Sequence, residues 1–96
     1  MALLKQTVSV IHRQGLHARP AALFVQKAQQ FLSRVTVKKG RKIVDGKSIM
    51  GLLTLAAGPG ARISIVVDGP DATVAMDALI RMVTTPLSDA SPRTPG

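Results

Sequence analysis

The chain has no cysteine, tryptophan, tyrosine or glutamate, and its carboxylates are the five aspartates Asp45, Asp68, Asp71, Asp77 and Asp89. The missing thiols exclude disulfides, thiol catalysis and cysteine-ligated zinc. So few acids argue against an acid/base enzyme that needs two convergent carboxylates. They argue equally against a hard-cation site, which needs several oxygen ligands. His12 and His17 cannot complete a metal shell by themselves, so no metal and no cofactor is expected. The only aromatic residues are Phe24 and Phe31, and the stacking platforms of single-strand and RNA readers cannot be built from them. No apolar run reaches the ~20 residues of a membrane span. The apolar start Met1–Leu4 is cut short by Lys5, too early for a signal peptide. A cytoplasmic protein with no membrane insertion is the expectation.

What the chain has in excess is positive charge. Thirteen Lys and Arg against five Asp give a net charge of +8 over 96 residues. That length makes one domain with a single core. The charge favours an anionic partner, which could be nucleic acid, an acidic protein surface or a phosphorylated group. Contact with the phosphates of a duplex stays open on this ground alone.

Hydropathy patterning gives the order strand, helix, strand, strand, helix, strand, helix. Residues 3–11 read as the first strand, with Leu3, Val8, Val10 and Ile11 as its apolar positions. Residues 12–16 form a loop, in which Gly15 permits an unusual backbone angle. A helix follows over about 18–31, placing Ala21, Phe24, Val25, Ala28 and Leu32 on one face. Residues 34–39 and 41–45 alternate around Gly40 as a hairpin. Ser48 is a favoured N-cap for a short helix at 49–56, with Leu52 and Leu55 buried. Gly58-Pro59-Gly60 marks a turn, and Ile63, Ile65 and Val67 of a strand at 61–68 share a face. Asp68 and Asp71 shape the next turn. A last helix at 71–84 takes Asp71 as its cap, buries Val74, Ala75, Ala78, Leu79 and Met82, and leaves Asp77 on its surface. Pro86 stops it. Hairpins and amphipathic helices of these lengths predict an α+β fold, an antiparallel sheet with helices packed on one face.

The stretch Gly15-Leu16-His17-Ala18-Arg19-Pro20 lies where the first strand ends and the first helix begins. Proline suits a first helical turn, where its missing N–H has no partner to lose. His17 then sits beside unpaired N–H groups and the positive end of the helix dipole, with Arg19 close by. An imidazole, a guanidinium and N–H donors converging on one point can hold a phosphoryl group. By spacing alone, a simple cap or a surface residue is the favoured reading of His17. His12 reads as a surface residue at a strand end.

Gly15-Leu16-His17-Ala18-Arg19-Pro20-Ala21-Ala22 closely resembles the active-site signature of the HPr family, the histidine-containing phosphocarriers of the sugar phosphotransferase system. Lys47-Ser48-Ile49-Met50-Gly51-Leu52 resembles the same family's regulatory serine segment. The two motifs are in register, and the likeness runs from residue 3 to about 84. It implies an open-faced sandwich of four antiparallel strands with three helices on one face. The HPr domain would occupy 1–86, and 87–96, rich in Ser, Pro and Thr, would be a flexible tail.

The resemblance also implies a role for His17. A ring nitrogen, Nδ1 in the family, takes a phosphoryl group from enzyme I, loaded from phosphoenolpyruvate, and passes it to the IIA domain of a sugar permease. A helix N-terminus disfavours imidazolium and so keeps such a ring neutral and nucleophilic. The dipole and Arg19 then stabilise the phosphate charge. The protein would act as a covalent phosphohistidine intermediate and not as a stand-alone enzyme.

Ser48 reads either as an ordinary N-cap or, by resemblance, as the target of an ATP-dependent HPr kinase/phosphorylase. Its phosphate would weaken enzyme I docking and create a site for a transcriptional co-regulator. By the same resemblance, Ile49, Met50 and Leu53, with Ala22 from the first helix, would line an apolar partner patch next to His17, and Lys27 and Arg19 a basic rim. A monomer is expected. The charge of +8 and the absence of Glu are unusual for the family. Two further readings remain beside the sugar carrier: a regulatory or nitrogen-branch relative, and a basic nucleic-acid-binding module on the same fold.

Overall fold

The structure, a computed structural model, describes residues 2–10, 18–55, 58 and 60–84. Its elements are β1 (Ala2–Ser9), α1 (Ala18–Ala28), β2 (Arg34–Lys39), β3 (Lys42–Asp45), α2 (Ile49–Leu55), β4 (Arg62–Gly69) and α3 (Ala72–Thr84). The order is the one expected from patterning. Ile11, Gly15 and the tail from residue 87 lie outside the described residues.

The four strands form one antiparallel sheet in the order β1-β4-β2-β3. β4 is therefore internal although it comes last, and its alternation decides which face is covered. Ile63, Ile65 and Val67 point inward and are buried, as are Val35 and Val37 of β2, which face Val67 and Ile65 in register. All three helices pack on that side, α3 against β1 and β4, α1 against α2 and α3, and α2 against β3. Among the described residues the other face of the sheet carries no helix. β2 and β3 meet at Lys39 and Lys42, which leaves a two-residue turn in which Gly40 has φ +60°, a left-handed angle that glycine adopts without strain.

Leu3 faces the open side of the sheet and is 66% exposed, because Leu4 is the residue that pairs with the inward-facing Val67. Two apolar placements differ from expectation. In α3 the buried stripe is Ala72, Ala75, Met76, Leu79 and Val83. Val74 is 63% exposed, and Ala78 and Met82 are only half-buried. Leu32, 83% exposed, lies beyond the end of α1 and not on its inner face.

The early end of α1 has an identifiable cause. Continued helix would send the Leu32 N–H to the Ala28 carbonyl, but that carbonyl accepts from Phe31 N (3.2 Å). Leu32 N donates instead to Asp71 Oδ2 (2.8 Å) and Ser33 N to Asp71 Oδ1 (2.9 Å), with Ser33 Oγ also donating to Oδ1. Asp71 does stand at the start of α3, since its carbonyl accepts from Ala75 N (2.9 Å). Its carboxylate, however, serves the α1–β2 connection and not the first turn of its own helix. Ser33 is buried, and Gly69 passes so close to it that an added Cβ would lie 2.6 Å from Ser33 Cα. That position requires glycine.

These bonds favour the ionised Asp71. The Ser33 hydroxyl first, and the Leu32 N–H next, hold its carboxyl below the ordinary value of 3.8. A carboxyl lowered in the folded state adds stability above its unfolded value, and loses it as pH falls through the folded one. Asp71→Asn is expected to lower the melting temperature by several degrees at neutral pH, with the gap to the unsubstituted chain closing below about pH 4. Melting curves followed by circular dichroism check this, and a gap that does not change with pH would contradict it.

Candidate functional site

α1 begins at Ala18, and Ala18 and Arg19 are exposed while Pro20 in the same turn is buried. Burial of Pro20, Ala21 and Phe24 anchors this end of the helix to the core and leaves its first turn open to water. The first turn has no acidic side chain, so nothing on the helix itself offsets the positive end of its dipole. The Arg19 guanidinium adds to that field. His17 is joined directly to Ala18 in the chain and, like His12, lies outside the described residues.

Ser48 is placed where the cap reading requires. Its Oγ accepts from Gly51 N (3.1 Å), and its carbonyl accepts the first helical bond of α2 from Leu52 N (3.1 Å). The approach to α2 is fixed by a tight turn, in which Lys47 N donates to Asp45 Oδ1 (2.8 Å) and Ser48 N to the Asp45 carbonyl (3.1 Å). Gly46 N donates to the Val35 carbonyl (2.8 Å), which ties the same turn to β2.

Two lysines that the sequence pattern did not single out for this task hold α2 in place. Lys47 Nζ donates to the Phe31 carbonyl just after α1 (2.8 Å), and Lys42 Nζ donates to the Thr54 carbonyl near the end of α2 (2.7 Å). Their partners lie 16 and 12 residues away in the chain, so no local spacing signals them. The Lys47 bond puts the start of α2 near the finish of α1. Arg19 is at the other end of α1, an 11-residue helix about 16 Å long. Ser48 and Arg19 therefore occupy different ends of the helical layer.

Of the proposed partner residues, Leu52 and Leu55 are buried as expected, whereas Ile49 is 41% and Met50 69% exposed. Leu53 is half-buried and packs against the core. Ala22 and Lys27 are half-buried on α1, which packs against α2. The helical layer thus shows an apolar pair, Ile49 and Met50, beside half-buried Leu53. Among the described residues no helix is long and apolar enough to cross a membrane.

Comparison with known proteins gives this geometry a family. Residues 4–85 match the PTS-HPr family, described as the PTS HPr component phosphorylation site. The phosphocarrier protein HPr of Neisseria meningitidis serogroup A is 47% identical over 81 residues, which cover 84% of this chain and 91% of that one. The crystal structure of a phosphocarrier protein HPr from Bacillus anthracis superposes with a TM-score of 0.83 at 44% identity, covering 88% of this chain and all of that one. Crh of Bacillus subtilis, a catabolite-repression protein whose crystal structure is a swapped-domain dimer, superposes with a TM-score of 0.69 at 44% identity, covering 83% of this chain and 92% of that one. The four-stranded open sheet with three helices is the fold of these HPr structures. The match spans nearly all of the patterned sequence, and the chain belongs to the HPr phosphocarrier family of the phosphotransferase system.

Proposed function

We propose that this chain carries a phosphoryl group on His17, accepting it from enzyme I and passing it to the IIA domain of a sugar permease. The observation that supports this most is Arg19 exposed in the acid-free first turn of α1, within the family signature that runs in the sequence from Gly15 to Ala22. In the transfer, a lone pair on a neutral imidazole nitrogen attacks phosphorus, and the bond from phosphorus to the donor breaks with its electrons staying on the donor. The reverse displacement delivers the group to the acceptor. Backbone N–H groups and Arg19 stabilise the negative oxygens throughout. Exposure of the turn keeps the group accessible to both partners. Ala22, Lys27, Ile49, Met50 and Leu53 form the docking surface in this reading, with the cations steering acidic partners.

Ser48 is the second modification site in this proposal, the substrate of an HPr kinase/phosphorylase using ATP. A phosphate there retains an acceptor for Gly51 N and sits beside Lys47. Because Ser48 is at the far end of α1 from Arg19, its charge acts on the docking surface and not on the phosphoryl site itself. That modified surface would recruit a transcriptional co-regulator. The likeness to Crh supports a regulatory role as an alternative use of the same fold.

Incubation with enzyme I and phosphoenolpyruvate is expected to give an acid-labile phosphate that is lost in His17→Ala and kept in Ser48→Ala. No label on the unsubstituted chain with a competent enzyme I would falsify the carrier reading. With HPr kinase and ATP the phosphate is expected to be acid-stable and to vanish only in Ser48→Ala, and label surviving that substitution would move the site elsewhere. The chain is also proposed to work as a monomer, unlike the swapped-domain Crh dimer. Light scattering should return 10.1 kDa, and twice that mass across dilution would overturn it.

A further inference from the structure

We propose that the uncovered face of the sheet docks on an anionic lipid bilayer, leaving the helical layer turned to water. Strand register places Lys5, Arg34, Lys38 and Arg62 on that face, opposite in alternation to buried Ile63, Ile65, Val67, Val35 and Val37. Arg41 extends the patch at the exposed β2–β3 turn. The carboxylates facing the same way are Asp68, which pairs with Arg34 in register, and Asp45 beside Thr36. Among the described residues, these four cations, with Arg41 at the edge, against two anions leave the face positive.

Its apolar groups favour lipid over a nucleic acid. Ile43, 62% exposed, is the cross-strand partner of Lys38, and Leu3, 66% exposed, lies across β4 from Arg34, with Asp68 between them. Apolar side chains set among lysines can enter a headgroup layer while the ammonium groups stay with its phosphates. A duplex backbone offers them nothing, and the sequence has no Trp or Tyr and only two Phe, one buried and one half-buried, to stack on bases. The face is also the right shape, an extended surface four strands wide with no helix over it among the described residues. Arg19 and Ser48 belong to the opposite layer, so docking would hold the chain at a membrane surface with both exposed. This does not depend on what His17 carries.

Vesicle flotation with the full chain tests it, using phosphatidylcholine with and without phosphatidylglycerol. Binding is expected only with phosphatidylglycerol, and it should weaken as salt is raised. Lys38→Gln should weaken it about five-fold, the effect of one cation near such a surface. Arg81→Gln removes the same charge from α3, where Arg81 pairs with Asp77 at 3.3 Å, and should leave vesicle binding unchanged. Ile43→Ser should weaken binding at constant charge, with circular dichroism showing that the fold is kept. Equal binding to phosphatidylcholine alone, no binding at low salt, or equal losses in Lys38→Gln and Arg81→Gln would overturn the proposal. Displacement from vesicles by a short DNA duplex at physiological salt would also overturn it and assign the face to nucleic acid.

Discussion

The connection from Phe31 to Ser33 is the point on which the helical layer depends. Asp71, arriving from the β4–α3 turn, takes the backbone N–H groups of Leu32 and Ser33, and Lys47, arriving from before α2, takes the Phe31 carbonyl. Ser33 is buried, so its N–H has no water to turn to if Asp71 is removed. Together these bonds stop α1, start β2 and set the positions of α2 and α3 relative to both. Gly69 makes the arrangement possible by having no side chain where β4 passes Ser33. The sheet contributes the other half of the order, because an internal β4 with one buried face leaves the helices a single side on which to pack.

This division of the molecule bears directly on its chemistry. One end of α1 is locked by long-range hydrogen bonds, while the other, among the described residues, is anchored by buried Pro20, Ala21 and Phe24, with its first turn facing water. A carrier has to bind a phosphoryl group well enough to receive it and loosely enough to release it. An exposed helix start with one guanidinium offers moderate stabilisation and open access from outside. Ser48, by contrast, lies in the locked part, where its hydroxyl already caps α2. In the proposed reading, a modification there changes a rigid surface and leaves the start of α1 chemically intact.

Much of this was legible in the sequence, and the exceptions follow a physical pattern. The buried faces of α1 and β4 followed from simple periodicity, Ala21, Phe24, Val25 and Ala28 recurring at helical spacing and Ile63, Ile65 and Val67 at every second position. α3 misled because apolar residues occupy most of its circumference, so Val74 and Met82 fit a helical stripe as well as Met76 and Val83 do. Asp71 looks like a cap from its position before a helix, yet its carboxylate acts on residues 38 and 39 positions earlier in the chain. For the site, the Ser48 cap was readable locally and is found in the structure. The motif around His17 was readable as a family signature, and Arg19 falls in the first turn as that signature requires. The bonds made by Lys42 and Lys47 were not readable, since each joins elements that folding alone brings together.

The central claim is that the transferred phosphorus is bonded to a ring nitrogen of His17. Phosphorus NMR of the enzyme I-treated protein, with its histidines labelled with nitrogen-15, tests it most directly. The account predicts one phosphorus signal with a one-bond coupling to Nδ1 of His17, absent from His12. A signal without nitrogen coupling, or one coupled to His12, would contradict it.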